Sequence, residues 1–341
     1  MNFSNIVNTI DLGKKTKRYI WVDWAKALLI YIMVVGHCFP EEHINRMIYA
    51  FHMPAFFIIS GYLYHEHSWF RTLKSFALPL VVFSLVNFLL IVFPQFIKGT
   101  FTSADFIERI YVPYWGGTTR NIDYLYLFPG CWFVFALLLG RFLMGDIPAF
   151  RWIREHSKIS IFVLLVWLVI EPFIFPNHSN PLEKYKFYRV IPSLPFLLLG
   201  YKLKSYNLCK IFNIRNACIF AFVFVCISSF QGYCNILDYK FGISYIVFYF
   251  NAIIGSLAFF GICNYCKRSI LVEKLSTGTI LVLAFNISLI YYVKVFISHS
   301  PLSFMVDDVW ICPWLIALLV VAICFVPILI LLKYWPAVLG K

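Results

Sequence analysis

RYIWVDWAKALLIYIMVVGHCFPEEHINRMIYAFHMPAFFIISGYLY, residues Arg18 to Tyr64, puts ionisable side chains inside an otherwise lipid-soluble run. It reads as two membrane-spanning helices joined by a very short turn. The first, roughly Ile20 to Phe39, holds Asp23, Lys26 and His37, and ionisable groups at membrane depth face a protein interior or a wet cavity. At 100° per residue the three fall on one stripe about 60° wide. Along the axis Asp23 and His37 lie about 21 Å apart at 1.5 Å per residue, so they do not touch. Asp23 and Lys26 can pair as i,i+3 neighbours, whereas His37 stands alone near the opposite membrane face.

Composition places the whole chain in a bilayer. Apolar residues make up 61% of it, aromatics 20% and charged residues only 13%, too little polar surface for a soluble fold. The 341 residues suffice for about ten helices of some 20 residues with short loops. The expected fold is therefore an all-α polytopic membrane bundle. After the first span at about 20–39 and a second, with His52 at its start, in the stretch that ends at Tyr64, spans are read at about 76–93, 128–144, 159–175, 188–203, 216–231, 243–263, 277–297 and 312–332. The segment 94–127 is too long to be a mere connection and belongs to the class of loops that are often functional. Three regions result: a tail at 1–19, a transmembrane domain at 20–333 and a short tail at 334–341.

Orientation follows from the basic residues. In this ten-span reading 19 of the 29 Lys and Arg side chains fall on the side carrying both termini and 8 on the other, with Lys26 and Lys294 inside spans. The positive-inside rule makes the termini cytoplasmic. Met1 to Lys17, polar and without a small-residue cleavage site, reads as a cytoplasmic tail rather than a signal peptide. The net charge of +13 is then mostly topology and calls for no nucleic-acid partner. Asp23, Lys26, Arg71 and Lys74 are expected on the cytoplasmic side, and His37, Glu41, Glu42, Arg46 and His52 on the outer side. The polar stripe thus crosses the bilayer.

The residues that make this stripe also carry a resemblance. W-V-D-W-A-K from Trp21, V-V-G-H-C ending at Cys38, and Y-A-F-H-M-P-A-F-F-I-I-S-G-Y-L ending at Leu63 resemble the opening of the membrane acyltransferase-3 family, with its polysaccharide and sugar O-acetyltransferases. The Phe-His-Met-Pro-x-Phe-Phe variant is similar to the branch that includes fucose O-acetylases. Cys131 to Val134, Pro195 to Tyr201 and Ser276 to Tyr292 echo later helices of the family in the expected order. The resemblance implies acetyl-CoA as a co-substrate taken from the cytoplasm, a glycan or lipid-linked sugar as acceptor outside, and a bacterial inner-membrane location among membrane lipids.

On that reading His37 is the candidate general base, since attack of a sugar hydroxyl on a thioester is helped by a group titrating near neutral pH; it stands where the family has its essential histidine. Asp23 and Lys26 complete the stripe, and His52 can approach His37 across the short turn, to bind acceptor or thioester carbonyl or to hold the hairpin. Glu41, one helical turn beyond His37, could orient the imidazole, and with Glu42 and Arg46 is a candidate for acceptor binding. Arg71 and Lys74 match the spacing of the family's Arg-x-x-Arg signature, with lysine losing the bidentate phosphate grip of arginine; they are candidates for holding the CoA phosphates, or are positive-inside anchors. Ser60 and Gly61 suit close helix packing. No metal is expected: Cys263-x-x-Cys266 lacks a second pair of ligands. Asn-Ile-Ser at 286 to 288 matches a glycosylation pattern but lies inside an expected span. The rival class is a secondary transporter or flippase, since buried Asp, Lys and His also mark substrate pathways; repeated halves or paired half-helices are not apparent.

Overall fold

The computed structural model describes residues 18–66, 68–93, 97, 99, 130–156, 158–159, 162–163, 166–167, 170, 190–206, 211–237 and 240–341. The chain order is α1 (Ile20–His37), α2 (Glu42–Tyr62), α3 (Trp69–Asn87, continued by a π-helical turn Phe88–Val92), α4 (Cys131–Asp146), α5 (Pro148–Glu155), α6 (Val190–Leu203) and α7 (Ile214–Gln231). A two-residue antiparallel hairpin, β1 (Cys234–Asn235) and β2 (Lys240–Phe241), precedes α8 (Tyr245–Cys263), α9 (Ile270–Thr277), α10 (Thr279–Ser298) and α11 (Cys312–Tyr334). Among the described residues six helices, α1, α3, α7, α8, α10 and α11, are long and apolar enough to cross a membrane, and a seventh span results if α4 and α5 are taken together across their 81° bend. The chain is thus an all-α, multi-pass membrane bundle.

Several boundaries differ from the sequence reading. The third helix starts at Trp69, not near Phe76, so Arg71 and Lys74 sit in its first turns. The span read at 277–297 is α10, Thr279–Ser298, and just before it lies the separate short helix α9, ending at Thr277; the break falls at Gly278, where an added Cβ would lie 2.4 Å from Ile328. The bend between α4 and α5 was not foreseen. The span expected at 159–175 and the long loop at 94–127 fall largely outside the described residues.

In a bilayer helix association is driven by close packing rather than by burial of apolar surface. Phe222, Phe230 and Phe296 point outward, with exposures of 71%, 61% and 76%, as lipid-facing groups do. The interior instead holds polar side chains with partners: Asn87 donates to the Ala284 carbonyl at 3.1 Å, and Asn251 to Ser228 at 2.9 Å. At the end of the bundle where α1 begins, Arg154 of α5 is buried between the rings of Tyr64 and Tyr201 and donates to the Met144 carbonyl and the Glu66 carboxylate. This ties the turn after α2 to α4, α5 and α6.

The closest helix contact is α2 on α6, and it depends on reciprocal glycines. A Cβ on Gly61 would lie 2.0 Å from the Leu197 carbonyl oxygen, and one on Gly200 would lie 1.9 Å from that of Ile58. Neither neighbour is a flexible side-chain end, so a methyl group must part the backbones. Gly61→Ala and Gly200→Ala are each expected to destabilise the folded protein by about 1–3 kcal/mol, read as a lowered unfolding temperature in detergent, while Gly36→Ala, facing only the Ile48 and Tyr49 side chains at 3.2 Å, costs less.

Candidate active site

A cavity of about 300 Å³ opens at the end of the bundle where α1 starts and runs inward between α1, α2, α4 and α10. Helical spacing decides which side chains line it. On α1 these are Lys26, Ile30 and Met33, four and three residues apart. The next position on that stripe is His37. On α2 the lining runs from Leu63, just past the helix end, to Met53, the neighbour of His52 in the chain. On α10 it runs from Thr279 to Leu283, and one turn further lies Asn286. The inner end of the cavity thus stops one helical turn short of His37 and Asn286, and His37, His52 and Asn286 stand outside its lining.

The pairing within the stripe differs from the i,i+3 expectation. Asp23 is paired with Arg18, not Lys26: Arg18 donates from Nε and Nη2 at 2.7 and 3.0 Å, and Ser276 Oγ donates at 2.7 Å. Arg18 also donates to the Glu273 carbonyl at 2.8 Å. Lys26, displaced by some 60° around the helix, turns to the cavity. Asp23 therefore fastens the start of α1 to α9, far from His37.

At the other end of α1 the imidazole of His37 lies beside the Asn286 side chain. Asn286 is fully buried and spends its Nδ2 on the Leu283 carbonyl at 2.7 Å, which leaves Oδ1 as an acceptor. Both that Oδ1 and His37 Nδ1 are buried without another partner among the described residues. His52 is also buried, with Nδ1 2.6 Å from the Ile48 carbonyl and its ring edge-on to Tyr49. A carbonyl only accepts, so Nδ1 carries the proton and the neutral ring presents a lone pair at Nε2. The two histidines are near enough for their charges to interact, so the hairpin does bring them together.

The turn that follows His37 is strained. Phe39 takes a left-handed φ of 58°, a conformation that costs a non-glycine residue about 1–2 kcal/mol and reverses the chain within four residues. Glu41 does not reach the imidazole; its carboxylate caps α2, accepting from the His43 and Ile44 amides at 2.9 and 3.1 Å. Glu42 pairs with Arg46, whose Nε is buried without a partner among the described residues. Next to this turn a second pocket of about 230 Å³, lined by Cys38, Phe39, Lys294 and Asp307 among others, opens at the far end of the bundle. Arg71 and Lys74 are exposed and outside the lining of the first cavity, although their neighbour Ser75 belongs to it.

The cavity is basic at its mouth and apolar along its walls, with His37 one helical turn beyond Met33, and the sequence profile of an acyltransferase domain matches residues 19–332. The chain belongs to the acyltransferase-3 family. No curated protein and no solved structure matches it significantly. The sequence reading of this family member missed Asn286, Arg141 and Lys341 as neighbours of the cavity. A fully buried asparagine inside an apolar helix was the available signal for the first, but it was read only as a glycosylation pattern.

Asn286 is expected to position His37 by accepting from the imidazole. Asn286→Ala should lower kcat by about tenfold with little change in donor KM and should displace the histidine limb of the pH–rate profile. A variant of normal yield with wild-type rate and pH profile would leave Asn286 as a packing residue.

Proposed function

We propose that this acyltransferase-3 protein is a bacterial inner-membrane O-acetyltransferase, of the fucose O-acetylase-like branch, that moves an acetyl group from cytoplasmic acetyl-CoA to a sugar hydroxyl of a cell-surface polysaccharide or lipid-linked glycan. The observation that carries the reading is the cavity: basic at one end, walled by apolar side chains, and lined on α1 by Lys26, Ile30 and Met33, the stripe whose next position is His37. The rise from Lys26 to His37 is about 16 Å, comparable with an extended pantetheine arm. The excess of basic residues at the Lys26 end supports a cytoplasmic assignment for it and for both termini. Nucleotide and phosphates stay in that aqueous compartment while the arm alone enters the bundle, which avoids moving charge through lipid.

In the chemical step the acceptor hydroxyl oxygen attacks the thioester carbonyl carbon as His37 takes the hydroxyl proton. A tetrahedral intermediate forms, the C–S bond breaks, and the imidazolium returns the proton to the departing thiolate. The products are the O-acetyl ester and free CoA thiol. Neutral His52, with its proton committed to the Ile48 carbonyl, accepts from a neighbouring hydroxyl of the acceptor sugar rather than donating to the thioester carbonyl. The acceptor comes from the far side through the pocket beside Phe39, where Lys294 and Asp307 offer hydrogen bonds to sugar hydroxyls, with the paired Glu42 and Arg46 at the start of α2 on the same end of the bundle. Arg71 and Lys74, on the first turns of α3, meet the nucleotide outside the cavity.

Purified protein given labelled acetyl-CoA and candidate glycans should yield labelled glycan; accumulation of unmodified substrate in vesicles without acetyl transfer would indicate a transporter. His37→Gln is expected to insert and accumulate normally yet lose about 10² to 10⁴ in rate. Wild-type kcat/KM should rise with pH as the imidazole loses its proton, and the variant should lack that limb. Near-wild-type transfer by His37→Gln would move the base to His52.

A further inference from the structure

The mouth of the cavity gathers positive charge without neutralising it. Lys26 of α1, Arg141 of α4 and Lys341, which follows the 3-10 turn Pro336–Leu339, all line it. They and Arg18 are near enough for their charges to act on one another. The nearest carboxylate, Asp23, is already engaged by Arg18 and Ser276. Among the described residues no carboxylate lies within ion-pair distance of Lys26, Arg141 or Lys341.

The arrangement is built rather than incidental. Arg141 Nη2 donates to Ser60 Oγ at 3.3 Å and the guanidinium lies 5.6 Å over the Phe76 ring. Its Nε is buried without a partner among the described residues, a donor that costs free energy until something accepts from it. Lys341 is brought over the mouth by Gly340, which has a φ of +76° and whose added Cβ would lie 2.8 Å from the Ser75 carbonyl oxygen. Leu339 and Gly340 line the same mouth, beside Ser75. Like charges converging on an open space, one of them a cavity-lining guanidinium with an unsatisfied donor, fit a multivalent anion, and a planar guanidinium suits phosphate oxygens.

We infer that Lys26, Arg141 and Lys341 form a phosphate-binding site at the cavity mouth, which holds the phosphates of the acyl-CoA donor and so fixes how far the pantetheine arm reaches toward His37. This rests on the donor reading above and adds Arg141 and Lys341 to it. Arg71 and Lys74 stand outside this site, on the solvent side of Ser75.

Steady-state transfer from two donors tests it: acetyl-CoA, which carries the phosphates, and acetyl-pantetheine, which lacks them. Wild-type protein should prefer acetyl-CoA. Arg141→Gln and Lys341→Gln should each raise the acetyl-CoA KM by about tenfold or more, the scale of a lost charged hydrogen bond, so that the preference collapses. Arg141→Lys should keep part of it. If both donors weaken equally in Arg141→Gln and Lys341→Gln, the residues only hold the fold and the inference fails. It fails too if the preference survives both substitutions, or if the rate instead follows the phosphatidylglycerol content of the vesicles, which would make the occupant a lipid headgroup. Transfer from neither donor by wild-type protein would overturn the acetyltransferase reading itself.

Discussion

The clasp on Asp23 sets the frame for everything that lines the cavity. A carboxylate with 7% exposure inside a membrane bundle is tolerable only if its charge is met, and Arg18 and Ser276 meet it from two directions. Ser276 belongs to α9, so the two side chains that meet the charge also dock α9 against the foot of α1. The break at Gly278 then sends α10 up alongside α1. Removing one partner of such a buried group leaves an uncompensated charge, which is costlier than never having had the pair. The consequence is geometric: with α1 and α10 fixed at their feet, Met33 meets Leu283 across the cavity, and His37 meets Asn286 one turn further on.

The reciprocal glycines of α2 and α6 fix the opposite wall. Because Gly61 and Gly200 let two backbones touch, α2 cannot slide along α6 without a steric clash, and its His52 stays level with His37. Both contacts illustrate how a bundle without a hydrophobic driving force between its helices acquires a single register: through shape at small residues and through a few polar groups that have one satisfactory arrangement.

Much of this was legible in the sequence, for a physical reason. Asp23, His37 and His52 stand out because charge or imidazole in an apolar run has few explanations, and helix periodicity alone put Lys26 and His37 on one stripe. Close packing at Gly61 was equally readable. Arg141 was not, because a basic residue near the end of a span is what the positive-inside rule already supplies, and only tertiary structure shows that it faces inward. Lys341 lies more than three hundred residues from Lys26, so no local pattern could join them. The bend after Asp146 and the short helix α9 before Gly278 escaped because hydropathy registers how apolar a segment is, not where its axis turns. Asp23 and Lys26 were expected to pair since their spacing permits it; the expectation failed because Arg18, just before the helix, offers two donors where lysine offers one flexible ammonium.

The apolar stretch between the cations and the histidines is as much part of the site as either end. Ile30, Met33, Phe56, Phe133 and Leu283 contribute nothing that binds phosphate or moves a proton, yet they occupy most of the length between Lys26 and His37. A thioester delivered to a histidine in water would lose its acyl group to hydrolysis, because water is present at far higher concentration than any sugar hydroxyl. On the function proposed, a cavity basic at its mouth and apolar along its walls would admit the donor and hold bulk water back, which is the role that active-site closure has in soluble enzymes. The bilayer excludes water from the flanks of the bundle without a moving lid. The strained turn at Phe39 fits the same logic: it ends α1 immediately after His37, so that the imidazole lies between the apolar end of the cavity and the pocket beside Cys38 and Phe39.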